Sequence, residues 1–151
     1  MVERNHLQRV ALQVTNRCLI ATIQLDLDDA TLAQFQKDLL SAVHQSDVTA
    51  VILDLSTVKI MDSYEFAAIR RTVDMVTMMG PKAILVGLQP GVVSALVDLD
   101  LSLEGLLTAL NLEDALRLLD ADSPQEEELS EEADAAEESN ADSGDTNLDK
   151  E

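Results

Sequence analysis

The sequence predicts an α/β domain with a mixed, mostly parallel sheet of four to five strands and about four helices, followed by a disordered C-terminal tail. Two nearly continuous apolar runs, 48–55 and 83–87, flank a helical pattern over 62–79. This order is typical of parallel strands joined by a crossover helix. The second observation is charge: residues 120–151 hold 14 Asp or Glu and one Lys. We therefore expect a compact domain over 1–119 and an acidic tail over 120–151.

The first two strands are predicted in the runs 7–14 and 18–25, which are rich in Val, Ile, Leu and Thr. Residues 15–17 separate them with the sequence Thr-Asn-Arg, whose turn chemistry indicates an antiparallel hairpin. We expect Cys18 to be a small core residue, since a single cysteine forms no internal disulfide and has no Cys or His at metal-binding spacing. Alternate residues of the second run are expected on one face: Leu19, Ala21, Ile23 and Leu25.

A first helix is predicted over 29–45. Carboxylates at 26–29 can cap its start, and apolar residues recur at helical spacing (Leu32, Phe35, Leu39 and Val43). His44 falls in its last turn, where an imidazole suits the helix dipole. Neither His44 nor His6 has a carboxylate cluster around it in the sequence, so we expect neither to bind a metal or to act in catalysis.

The second helix, 62–79, follows the strand over 48–55. Its predicted buried face consists of Phe66, Ile69, Val73 and Val76. Gly80 is expected as its C-cap, and Pro81 prevents the helix from resuming. A second apolar stripe on this helix contains Met75, Met78 and Met79. Two interpretations of that stripe remain open: adaptable core filling and a surface for a partner.

The last part of the domain is less regular. Pro90 is placed for a first helical turn, and a short helix is predicted to Leu99. The apolar run 103–110 could be a strand or a helical turn, and its periodicity does not decide between them. Asn111 is predicted to cap a final helix through Leu119. Charged residues suit the dipole of that helix, with Glu113 and Asp114 in its first turn and Arg117 near its end.

The tail has few large apolar side chains. After 123–124 only Leu129 and Leu148 remain, too few to offset the entropy of chain ordering. We expect disorder, with three roles left open: keeping the protein soluble, shielding a surface, or competing for a basic partner.

Composition and motifs exclude several classes of function. The net charge is −19 and no basic run exists, so we expect no binding to nucleic acid or to an anionic membrane. No basic-then-apolar leader and no apolar stretch of about 18 residues is present, which predicts a cytoplasmic protein. Neither a Gly-x-Ser-x-Gly turn nor a Gly-rich phosphate loop occurs, and Asp98 and Asp100 are expected only to solvate a helix end. We therefore expect a non-enzymatic protein without cofactor or metal.

The start of the second helix carries the best candidate site. Asp62 and Glu65 have the spacing of a capping box, which places Ser63 at the first helical position with its hydroxyl facing solvent. Such a hydroxyl is accessible to a kinase. A phosphate there would suit the helix N-terminus but would be opposed by Asp62 and Glu65. The expected consequence is a changed partner surface rather than unfolding.

Six stretches carry a resemblance to a known family: Leu25-Asp26-Leu27-Asp28-Asp29, Val51-Ile52-Leu53-Asp54-Leu55, Met61-Asp62-Ser63-Tyr64, Met79-Gly80-Pro81-Lys82, Gly87-Leu88-Gln89-Pro90 and Thr108-Ala109-Leu110-Asn111-Leu112. With these stretches the chain resembles STAS domains over residues 7–119, and among them the small single-domain subunits of bacterial stressosomes. The Asp62-Ser63 pair matches the family's phosphorylation motif.

The resemblance implies a signalling scaffold that acts by partner switching in a stress response. It implies Ser63 as the phosphoacceptor, with Asp62 and Tyr64 as kinase-contact candidates. The implied partners are a switch-class serine kinase that is held and then released, a larger sensor-bearing STAS paralogue, further copies in a large complex, and a phosphatase.

Two alternatives stay open, a stand-alone anti-sigma factor antagonist and a ligand-binding STAS module. Antagonists often carry a small residue or glycine soon after the serine, where this chain has Tyr64 and Glu65. The acidic tail is absent from the family pattern.

Overall fold

The computed structural model describes residues 10–23 and 28–122, which form five strands and four helices. The strands are β1 Val10–Thr15, β2 Cys18–Ile23, β3 Ala50–Asp54, β4 Lys82–Val86 and β5 Leu107–Ala109. The helices are α1 Asp29–Gln45, α2 Ser63–Met78, α3 Pro90–Asp98 and α4 Leu112–Ala121.

The five strands form one sheet in the order β1-β2-β3-β4-β5. β1 pairs with β2 antiparallel, and all other neighbours are parallel. The β1–β2 turn has positive φ at both Asn16 (49°) and Arg17 (61°). This is the type I′ geometry whose twist matches a two-residue hairpin. The predicted α/β class, with its mixed and mostly parallel sheet, is confirmed.

Both faces of the central strands are buried. One face is continuous with the main core, which also takes in the apolar sides of α1, α2 and α3. The other face carries Cys18, Ile52, Ile84 and Val86, each at most 4% exposed. Burial on two faces explains why β3 and β4 are nearly continuous apolar runs in the sequence. The prediction that Cys18 is a core residue is confirmed.

The predicted core faces of the helices are also confirmed. In α1 the buried residues are Leu32, Phe35, Leu39 and Val43. In α2 they are Phe66, Ile69, Val73 and Val76, together with Thr72. The hydroxyl of Thr72 donates to the Ala68 carbonyl at 2.8 Å, which satisfies this polar group within the helix.

The predicted start of β3 and the predicted end of α4 were wrong, and the structure decides one run that the sequence left open. β3 begins at Ala50 rather than at 48, because Thr49 belongs to a connecting segment whose amide donates to the Arg17 carbonyl. The undecided run 103–110 contains a strand, β5, which pairs with β4. α4 continues to Ala121, so Arg117 lies outside its last turn, and the predicted match with the C-terminal dipole is wrong.

The methionine stripe divides between the two interpretations. Met75 is partly buried, and its Sδ accepts a hydrogen bond from Gln36 Nε2 at 3.2 Å. Met78 is 86% exposed and Met79 is 43% exposed. Core filling is therefore wrong for Met78.

By its internal contacts the chain divides into Met1–Leu116 and Arg117–Glu151. The predictions for residues 7–9, for Leu25, for His6 and for the tail beyond 122 lie outside the described residues. The domain boundary at 119 and the disorder of the acidic tail stay predictions.

Candidate functional site

The candidate site lies at the edge of the sheet where the parallel strands end. Thr22, Asp54 and Val86 are in register across β2, β3 and β4, so the connections that leave these strands begin side by side. The connection from β3 to α2, residues 55–62, is called the acceptor loop below, after the prediction that Ser63 is a phosphoacceptor. It leads directly to Ser63, the first residue of α2.

The acceptor loop is tied to both neighbouring strands. The Leu55 amide donates to the Val86 carbonyl at 2.9 Å, and the Thr57 hydroxyl donates to the Ile23 carbonyl at the end of β2. The Ser56 amide donates to Oδ1 of Asp54, the last residue of β3, at 3.0 Å, and inside the loop the Val58 amide donates to the Leu55 carbonyl at 3.0 Å. Three side chains anchor the loop in the core: Leu55, Val58 and Met61, each at most 7% exposed.

A complete capping box starts α2. The Glu65 amide donates to Asp62 Oδ1 at 2.7 Å, and the Asp62 amide donates to Glu65 Oε2 at 2.9 Å. This confirms the predicted cap. The box satisfies two amides that a helix N-terminus otherwise leaves unpaired, and so fixes the direction in which Ser63 is presented.

Ser63 is exposed, as are both candidate contact residues, Asp62 and Tyr64. Tyr64 is 61% exposed, and Ile60 in the acceptor loop is 84% exposed. Asp62, Ser63 and Tyr64 are thus three consecutive exposed residues, and the exposed Ile60 precedes them by two positions. This stretch is open to solvent at the start of α2.

Among the described residues, Ser63 has no histidine beside it that could act as a general base. The described histidine, His44, is in the last turn of α1 and lines a cavity of about 440 Å³ together with Thr49, Met79 and Gly80. This cavity is at the opposite, amino end of β3. Within 10–23 and 28–122 no group of three His, Cys, Asp or Glu residues could hold a metal ion. Over the same residues, every helix is too short or too polar to cross a membrane.

Sequence reasoning missed the residues that support the loop from the next connection. Gln89 Nε2 donates to the Ser56 carbonyl at 3.0 Å. Gly87 has φ +74°, and a Cβ built on it would lie 2.8 Å from Ser56 Cβ. The available signal was the Gly-Leu-Gln-Pro turn directly after β4, where glycine permits a close approach and proline starts α3.

Comparison with known proteins gives a family and a set of similar structures. The family model described as "STAS domain" matches residues 9–115. A Moorella thermoacetica RsbS protein with a serine-to-glutamate substitution is 25% identical, with a TM-score of 0.66, over 75% of this chain and 96% of that chain. No curated protein matches the chain by sequence.

Two further structures show the fold. A chain from a structure described as the molecular architecture of the stressosome, a signal integration and transduction hub, is 23% identical with a TM-score of 0.68, over 76% of this chain and all of that one. The anti-sigma factor antagonist SpoIIAA in its unphosphorylated form is 18% identical with a TM-score of 0.60, over 74% and 96% of the respective chains.

Proposed function

The chain belongs to the STAS domain family, and from this premise we propose that it is a non-catalytic signalling scaffold of a stressosome. In this proposal the protein holds a switch-class serine kinase and releases it when Ser63 is phosphorylated. The likeness to the Moorella RsbS protein over nearly all of that chain supports the stressosome assignment.

The observation that carries the proposal is the setting of Ser63. Its side chain is exposed at the first position of a capped helix, directly after a loop bound to two strands. A phosphate would add about −1.5 to −2 of charge at neutral pH without breaking any of the hydrogen bonds that hold the loop. The helix N-terminus favours that charge, so the fold should remain intact.

The effect of the phosphate falls on the partner. A kinase surface that packs over Ile60 and Tyr64 would have to remove water from a dianion placed between two carboxylates, Asp62 and Glu65. Burying such a charge without a cationic partner is strongly unfavourable. Phosphorylation would therefore weaken the complex and free the kinase for its next partner, while a phosphatase would restore the original surface.

The test is a capture experiment with the immobilised full chain and the switch-class kinase from the same genome. We expect the kinase to bind without ATP and to leave when ATP is added. Ser63→Ala should bind equally well and retain the kinase after ATP addition. Equal ATP-driven release from both proteins would contradict the proposal.

A second candidate, a stand-alone anti-sigma factor antagonist, is favoured by the fold shared with SpoIIAA. Particle size separates the two functions. A scaffold should form very large particles with its larger STAS paralogue on a sizing column. An antagonist should remain a monomer or dimer in the same mixture.

A further inference from the structure

The start of α3 lies against the acceptor loop. The β4–α3 connection and the first residues of α3 together form the segment 87–91, called the α3 brace below. It contacts the acceptor loop at Ser56 and at Lys59, on the stretch that leads to Ser63. None of these contacts belongs to the capping box.

Two of the contacts are steric. A Cβ on Gly87 would lie 2.8 Å from Ser56 Cβ and 2.9 Å from Ser56 Cα. A Cβ on Gly91 would lie 3.1 Å from the Lys59 carbonyl oxygen. At Gly87 the backbone of the α3 brace is therefore too close to the acceptor loop for a side chain, and at Gly91 it is nearly as close.

The third contact is polar. The side-chain amide of Gln89 donates to the Ser56 carbonyl at 3.0 Å across 33 residues of sequence. Gln89 precedes Pro90 at the N-cap position of α3, but its side chain makes no capping hydrogen bond there. The amide thus acts on the acceptor loop rather than on its own helix.

We infer that the α3 brace is a positioning element for Ser63, with Gln89 as its polar contact and Gly91 as its steric one. The inference rests on the proposed function, because it concerns the presentation of the same hydroxyl. The capping box fixes the first turn of α2, whereas the α3 brace fixes the acceptor loop that precedes Ser63. Loss of the Gln89 hydrogen bond, or a clash introduced at Gly91, should leave the fold intact and the serine less well placed for phosphoryl transfer, which depends on geometry.

Two substitutions test the two contacts separately. Gln89→Leu removes the donor while keeping a side chain of similar length. Gly91→Ala adds a methyl group against the Lys59 carbonyl, at a helical position where alanine is favoured over glycine. The matched control is Gln45→Leu, which removes an exposed amide that donates to Ser41 Oγ at 3.2 Å, near the C-terminal end of α1.

The first measurement is hydrogen exchange by mass spectrometry on the acceptor loop, which needs no kinase. We expect the amides of Leu55 and Val58 to exchange about 5-fold faster in Gln89→Leu, which is the factor that corresponds to the loss of one hydrogen bond. Gly91→Ala should alter exchange in the same peptide. Gln45→Leu should match the wild type there.

The second measurement is steady-state phosphorylation by the switch-class kinase. We expect kcat to fall about 10-fold in Gln89→Leu with KM within about 2-fold of wild type, because the misplaced hydroxyl affects the transfer step more than docking. Wild-type exchange of the loop in both brace variants would overturn the inference. So would an unchanged kcat in both.

The failures of the two proposals are distinguishable. If the kinase phosphorylates no protein, wild type included, the proposed function is wrong, and the exchange data alone decide whether the brace holds the loop. If Gln89→Leu does not fold, Gly91→Ala decides both measurements.

Discussion

The two ends of α2 are built differently. The N-terminal end has a capping box, an acceptor loop tied to two strands, and anchors in the core. The C-terminal end stops at Met78 with no basic residue in its last turn, followed by Met79 in αR conformation and by Gly80 at φ +120°. Met78 is 86% exposed beside this end.

The difference concerns both conformation and charge. A helix N-terminus favours an added negative charge and a C-terminus disfavours it, each by about 0.3–1 kcal/mol near the surface. Ser63 therefore stands at the end of α2 where a phosphate costs the fold least. At the same end, the capping box is made by Asp62 and Glu65 rather than by Ser63, so we expect a change of charge at Ser63 to alter the surface and leave the fold intact.

The largest expected effect comes from placing a negative charge at each end of α2, in two separate variants. We expect Ser63→Glu to weaken kinase capture at least about 10-fold, or 1.4 kcal/mol, with little change in the free energy of unfolding. Met78→Glu should retain kinase capture, because Met78 lies away from the acceptor loop. It should lower the free energy of unfolding by about 0.5 kcal/mol, because it adds a negative charge at the C-terminus of the helix.

Titration calorimetry with the kinase and urea unfolding measure the two quantities on the same preparations. The comparison of the two ends would be wrong if Met78→Glu weakened capture as much as Ser63→Glu did.

The next effect is on stability alone. Asp62→Ala removes the side chain that accepts the Glu65 amide, and we expect it to lower the free energy of unfolding by about 1 kcal/mol. Met78→Ala, at the other end, should change it by less than about 0.5 kcal/mol because that side chain is mostly solvated. Urea unfolding monitored by circular dichroism checks both. Equal losses at the two ends would refute the difference in capping.

The smallest effect concerns the amino edge of the sheet, where Cys18 pairs with Ala50. Burial raises the pKa of the Cys18 thiol. The unfolded chain therefore loses this proton first as pH rises past about 8.5. The contribution of Cys18 to the free energy of unfolding is therefore constant below that pH. It falls as pH rises from the thiol pKa of the unfolded chain to that of the folded chain.

Denaturant titrations at pH 7 and pH 10 measure this loss. The free energy of unfolding should fall more steeply with pH in the wild type than in Cys18→Ala. An identical pH dependence in the two proteins would contradict the assigned cause.

Local signals explain which parts of the fold could be predicted. The bounds of α1 follow from Asp28, whose side chain accepts the Thr31 amide, and from apolar spacing within the same segment. β5 has only three residues and no periodicity of its own. Its strand conformation depends on pairing with β4, which is a tertiary contact that no local pattern contains.

The same distinction applies to the site. The capping box joins residues three apart, so its spacing predicts it. The bond from Gln89 to Ser56 joins residues 33 apart, and the approach of Gly87 depends on the register of β3 with β4. Sequence therefore predicted the cap and the exposure of Ser63, whereas the contacts of the α3 brace could be found only from the fold.

The most direct test of the central claim is the intact mass of the full chain after incubation with ATP and the switch-class kinase. The matched control is Ser56→Ala, which removes an exposed hydroxyl from the acceptor loop and leaves the backbone contacts of residue 56 in place. The wild type and Ser56→Ala should each gain one phosphate, and Ser63→Ala should gain none. Equal phosphate gain in Ser63→Ala would show that Ser63 is not the acceptor.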